Sequence, residues 1–198
     1  MKVEHVGADT GELADPAAAV WGSLSGESVP LAAVPLEAQP TQYIRTAWAD
    51  REYGRTPEAR VAAAQDGQRL YVRIEWADDD AANGEFQDAA GVLFPIGGAG
   101  SLTTLGDQEA PVALWYWEHG RPGPVDLTAR GPGVFRTDRG DDLAAAAVLN
   151  DGRWAVVLSG PVEAAVDGRL GVAVWNGSNE ERGGLAAVSQ DWLPLEVS

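Results

Sequence analysis

Residues 69–76 read Arg-Leu-Tyr-Val-Arg-Ile-Glu-Trp and alternate polar with apolar side chains without a break. A period of two belongs to a strand with one face in a core and the other near water. Leu70, Val72, Ile74 and Trp76 share the apolar face, and Arg69, Tyr71, Arg73 and Glu75 the other. The run is preceded by Arg60–Ala64 and an Asp66-Gly67 turn, the pattern of a β-hairpin. Asp78-Asp79-Asp80 then ends the strand.

The same signals recur along the chain. Strands are predicted at 89–95, 112–118, 144–149, 153–158, 170–175 and 193–197, with further Asp-Gly turns at Asp151-Gly152 and Asp167-Gly168. The 24 glycines and 12 prolines suit many short elements joined by turns. Only residues 58–65 and 143–149 could pass for helix, because alanine favours it, but both are short. The prolines between Pro16 and Pro40 forbid a helix there and suit extended chain. Residues 1–15 are polar, acidic and aperiodic, and read as a loose, flexible arm. The fold expected is all-β, an antiparallel β-sandwich forming one domain over residues 16–198.

Charge narrows the partners. Fourteen Lys and Arg stand against 30 Asp and Glu, a formal charge of −16, which disfavours nucleic acid and anionic lipid. Thirteen of the basic residues are Arg, and the acids are dispersed, as suits a salt-rich host or a GC-rich genome. The absence of cysteine removes disulfides, thiolate metal sites and a catalytic thiol. No run approaches the length of a membrane span, and the opening MKVEHVGADTGE lacks the plan of an export signal.

Catalytic provision is thin. The two histidines are His5 and His119, and no metalloprotease, nucleophile-elbow or nucleotide-loop pattern is present. The acid runs Asp78-Asp79-Asp80 and Glu180-Glu181 read as solvated surface, since no calcium-loop spacing accompanies them. Eight tryptophans, most at strand positions, either fill the space between two sheets or sandwich a flat ligand. Trp115 and Trp117, two apart, face one side and are the candidates for a sugar or planar ligand, the alternative reading of this chain as a carbohydrate- or small-ligand-binding module.

Five segments carry a resemblance. They are residues 69–79 (RLYVRIEWADD), 88–95 (DAAGVLFP), 111–117 (PVALWYW), 150–157 (NDGRWAVV), and 174–184 (VWNGSNEERGG) with 189–192 (SQDW). In this order they resemble the heme-binding gamma subunit of ethylbenzene dehydrogenase and the gamma subunits of dimethylsulfide dehydrogenase and of selenate and chlorate reductases, over about residues 16–198. The resemblance implies a sandwich like that of family 9 carbohydrate-binding modules, holding one heme b. It also implies electron transfer within a complex with a molybdopterin catalytic subunit and an iron–sulfur subunit. The resemblance implies a place outside the cytoplasmic membrane, so this chain would travel with an exported partner, stay in the cytoplasm, or be a processed form.

The resemblance also implies an internal Met and an internal Lys as iron ligands. Those positions fall at Leu105 and near Ala146, whose hydrocarbon side chains have no lone pair to give. Three outcomes follow. His119 ligates the iron in a changed geometry beside Trp115 and Trp117, or Met1, Lys2 or His5 folds back to do so. Otherwise the cofactor is lost and the sandwich serves as a structural subunit.

Overall fold

The computed structural model describes residues 1–6, 10–80, 85–97, 100–138 and 142–197. A strand β1 (Lys2–His5) and two short helices, α1 (Thr10–Ala14) and α2 (Val20–Ser23), lead into β2 (Gly26–Ala33) and α3 (Gln42–Ala47). The hairpin β3 (Glu58–Gln65) and β4 (Arg69–Ala77) follows, then β5 (Ala89–Pro95), β6 (Val112–Glu118), β7 (Val125–Ala129) and β8 (Phe135–Thr137). The second half contains β9 (Ala144–Asn150), β10 (Arg153–Pro161), β11 (Arg169–Trp175), β12 (Ala187–Ser189), β13 (Leu193–Pro194) and β14 (Glu196–Val197).

These strands form two layers. One sheet runs β2–β3–β4–β10–β9, and the other runs β8–β7–β6–β5–β11–β12–β2. β2 belongs to both because it changes partner midway: Gly26–Pro30 pairs with β3, and Leu31–Ala33 pairs with β12. Pro30 sits at the crossing, where a residue without an N–H costs no ladder bond. Pairing is antiparallel except around β1, which runs parallel to both β3 and β14.

Three apolar clusters hold the layers. The largest lies between the sheets and takes Val72, Ile74 and Trp76 of β4, Val156 and Leu158 of β10, Val92 and Phe94 of β5, and Val172 and Val174 of β11. Each set follows the period of two, so the alternation in the sequence is the reason the core exists. A second cluster covers the outer face of the β5–β6–β7–β11 sheet. A third puts Leu13, Trp21 and Leu24 over Ala62 and Ala64 of β3, whose small side chains let α1 and α2 sit close to the sheet.

The sandwich is as expected, but three local readings are corrected. Residues 1–15 are not a loose arm where they are described: β1 is hydrogen-bonded into the first sheet, and Met1 and Val3 are buried in the central core. The Met1 ammonium is held by the Pro194 carbonyl and by Glu27 at 3.1 Å. The prolines between Pro16 and Pro40 do not forbid a helix, since the proline-free stretch after Pro16 forms α2, whereas the alanine-rich run 144–149 is strand as expected, paired with β10. Strands β7, β8 and β12 were not expected, being only three to five residues long.

Candidate functional site

The turn at residues 101–106 delivers the side chain at position 105. Leu105 N–H donates to Leu102 O at 2.9 Å, Gly106 N–H to Ser101 O at 2.7 Å, and Gly131 N–H to Leu105 O at 3.1 Å. Leu105 (φ 53°) and Gly106 (φ 74°) are both left-handed. That conformation is costly for a leucine and signals a turn held by its surroundings. A Cβ at Gly106 would stand 2.9 Å from Ala129 O and 3.0 Å from Val112 N. Gly106→Ala should therefore cost about 1–3 kcal/mol in denaturant unfolding, and an unchanged midpoint would mean the turn relaxes freely.

Leu105 is fully buried in the cluster outside the second sheet. Its cluster mates include Val34, Leu102, Leu114, Leu127, Ala129 and Ala186, while Met1 packs in the central core, Lys2 and His5 pair within the first sheet on β1, and His119 follows the other end of β6. Tyr116 packs at the margin, but its hydroxyl donates to Glu118 Oε2 at 3.0 Å, and burial and the Glu118 charge push its pKa upward.

Ala146 is elsewhere. It pairs with Val157, whose side chain belongs to the cluster outside the first sheet, so Ala146 faces that outer side too. Leu105 and Ala146 thus lie on opposite outer faces of the sandwich, with two sheets spaced about 10 Å apart between them. One iron cannot be reached from both.

His119 follows the far end of β6, seven strand residues from Val112, or roughly 20 Å along the strand. It is exposed, its backbone N–H donates to Asp88 O at 2.9 Å, and its ring lies 5.1 Å from Trp154 and 6.2 Å from Trp117. Trp115 and Trp117 are 3% and 7% exposed, so the reading of them as ligand-facing indoles is corrected. Trp115 meets Phe94 edge-on at 4.7 Å and covers Gly160, where a Cβ would come within 2.7 Å of its ring. Trp117 packs against Trp154 at 5.2 Å. These indoles are core.

Polar residues converge instead at one end of the sandwich. Asp88, 1% exposed, accepts from Gly177 N–H at 2.8 Å and from Trp154 Nε1–H at 3.1 Å. Glu181 is equally buried and accepts from Asn176 N–H, Arg55 N–H and the Asn179 amide; burial raises its pKa against those donors. Asp78 is 4% exposed and pushed up to about 7 by burial, by its contact with Asp80 and by the charge of Asp88. Its Oδ2 and the Nε1 of Trp76 are buried without a partner. Asp78 and Glu181 therefore correct the reading of the acid runs as solvated surface, while Asp79, Asp80 and Glu180 fit it. Strand register was the available signal: position 78 continues the inward face of Leu70 to Trp76. Among the described residues no three His, Cys, Asp or Glu side chains are arranged to hold a metal ion, and no helix is long and apolar enough to cross a membrane.

Clefts flank both outer faces. One of about 310 Å³ lies between α3 and the 182–185 turn, another of about 240 Å³ runs over Tyr116, Leu127 and Phe135, and a third of about 360 Å³ lies beside β9. Neither Leu105 nor His119 lines any of them. The side chains present do not fit a doubly ligated heme iron at position 105.

No protein-family profile matches the chain. It is 33% identical over 202 residues to chlorate reductase subunit gamma of Ideonella dechloratans, covering 93% of this chain and 80% of that one. It is 30% identical to a protein of Haloferax mediterranei named as a respiratory nitrate reductase heme subunit, ORF7, with 88% and 65% covered. Dimethylsulfide dehydrogenase subunit gamma of Rhodovulum sulfidophilum is 29% identical, with 67% and 58% covered. Among solved structures, a family 9 carbohydrate-binding module from Caldicellulosiruptor kristjanssonii superposes with a TM-score of 0.55 at 14% identity, over 100% of this chain and 95% of that one, in its complex with glucose. Its complex with cellotriose gives 0.52 at 13% identity, covering 100% and 93%.

Proposed function

Because this chain belongs to the family of molybdoenzyme gamma subunits that includes chlorate reductase subunit gamma, we propose that it is the gamma-type subunit of a multi-subunit molybdenum oxidoreductase and serves that complex as a structural subunit. The observation that carries this is the 33% identity sustained over 93% of the chain, which a shared sandwich alone does not produce: the sugar-binding modules share the fold at 14%. Substrate chemistry then belongs to a molybdopterin catalytic subunit, with an iron–sulfur subunit between the two.

A heme b in such a subunit relays single electrons between iron–sulfur centres and an external carrier, and the relative named as a heme subunit supports heme as the family's cofactor. In this chain Leu105 packs among hydrocarbon side chains, and the described Met, Lys and His residues lie elsewhere in the sandwich. No electron step is assigned to it. The likeness to sugar-binding modules is one of fold, and Trp115 and Trp117, the indoles read as a sugar platform, are core residues.

The test is native purification from the host through a tag on this chain. A catalytic subunit should co-purify at fixed ratio with molybdenum. Elution of the chain alone, free of molybdenum, would refute the proposal.

A further inference from the structure

The two sheets end on unlike edges. The second ends on β8, three residues long, beside which Asp138 is tied to Arg136 at 2.7 Å and to the Thr128 hydroxyl. A short, charged edge is how a soluble sheet avoids pairing with strangers. The first sheet ends on β9, seven residues reading Ala-Ala-Ala-Ala-Val-Leu-Asn. It holds no charge and no proline, in a chain where 22% of residues are charged. Among the described residues, no strand pairs with its outer edge, and its backbone makes no bond outside the β9–β10 ladder. Ala144, Ala147 and Leu149 are exposed.

Beside this edge runs the cleft of about 360 Å³, bounded by Val148 and Asn150 of β9, by Pro16 and by Arg73, Glu75 and Arg153. Arg73 and Arg153 share one carboxylate, Glu75, at 2.7 and 3.2 Å. The floor therefore keeps a surplus positive charge on a molecule of net charge −16.

Resting on the gamma-subunit reading, we infer that β9 is a docking edge that takes an extended strand from another subunit of the complex. The free N–H and C=O groups supply the ladder, and side chains alternate to either face of the added strand. Bulky apolar residues fill the space left by the alanines, and an acidic side chain enters the Arg73–Arg153 cleft. A second copy of this chain fits poorly, because it sets alanine against alanine and like charge against like charge.

The absence of native cysteine makes the test clean. Ala147→Cys, labelled with a photoreactive benzophenone maleimide on the separated chain and then reassembled with the other subunits, should cross-link to one extended segment of another subunit, and Arg136→Cys at the β8 edge, labelled in the same way, should not. Ala147→Lys, which places a charge on the edge, should lower the retained subunit about tenfold with an unchanged melting temperature. Arg153→Glu, exposed and outside the core, should lower it too and serves if the first variant folds poorly. Cross-linking of position 147 to a second copy of this chain would overturn the inference. So would a complex recovered at the wild-type ratio from both variants with no adduct at 147, which would leave the gamma-subunit reading standing. Purification without any molybdenum subunit would remove that reading and the docking edge with it.

Discussion

Asp88→Ala is expected to lower the unfolding free energy by about 3–5 kcal/mol, one of the largest losses any single polar substitution here should cause. Asp88 is buried, and its two oxygens are bonded to the Gly177 backbone and the Trp154 indole. Removing the carboxylate leaves two buried donors unsatisfied, each costing about 1–3 kcal/mol. It also frees Trp154, which stacks on Trp76 at 6.2 Å and meets Trp117 at 5.2 Å, so the centre of the core loosens with it. Asp88→Asn keeps the shape and one acceptor and should cost about half as much. Urea unfolding followed by tryptophan fluorescence checks both. A loss below about 1 kcal/mol for the alanine variant would show that water replaces the carboxylate and that the network does not hold this end of the sandwich.

Asp78→Asn should act in the opposite direction. The Asp78 carboxyl is pushed up to about 7, first by burial and then by Asp80 and Asp88. A carboxyl whose pKa is higher in the folded chain than in the unfolded one binds the extra proton when folded. Its contribution is then complete at acid pH and is lost as pH rises from the ordinary carboxylate value of 3.8 to about 7. At about pH 8 the wild type bears a buried charge that the amide lacks, and the variant should be more stable by on the order of 2–4 kcal/mol. The amide also keeps an acceptor for Asn176 and can donate to Asp80, the neighbour with which the carboxyl shares a hydrogen bond. At about pH 4 the two proteins should unfold alike. A difference between them that does not change with pH would show that Asp78 is ionised in the folded chain throughout. The difference curve removes the contributions of Glu181 and Asp126, which burial also raises, and of Glu75, which is lowered, so that it reports Asp78 together with its neighbour Asp80.

The hairpin β3–β4 was legible from a period of two and an Asp-Gly turn, and β5, β6, β9, β10 and β11 from short apolar runs bounded by turn residues, since β5 and β11 are buried on both faces and show no alternation. Strands β7, β8 and β12 were not, since a strand of three to five residues holds too few positions to show alternation. β1 was hidden for a different reason: four residues of mixed polarity become a strand only because β3 and β14 close on them from distant parts of the chain. The substitution of the iron-holding positions by Leu105 and Ala146 was readable as letters. That the two positions face away from each other, and that Leu105 sits in hydrocarbon, required the fold. Asp88 gave no local sign, because an aspartate before a strand looks like a turn residue until Trp154 and Gly177 arrive beside it.

The dispersed acidity has a physical corollary. Arg51–Glu180 and Arg136–Asp138 are exposed pairs worth little each, while like charges over the rest of the surface repel unless salt screens them. Measurements on this chain should therefore be made across ionic strengths, and one relative does come from Haloferax mediterranei.

Protoheme content decides the central claim most directly. The complex purified through this chain, quantified for each subunit and extracted for protoheme, is predicted to yield molybdenum at full occupancy and no protoheme assignable to this chain. One protoheme per copy, lost on His119→Ala while the subunits stay together, would contradict it and establish a ligand set outside position 105.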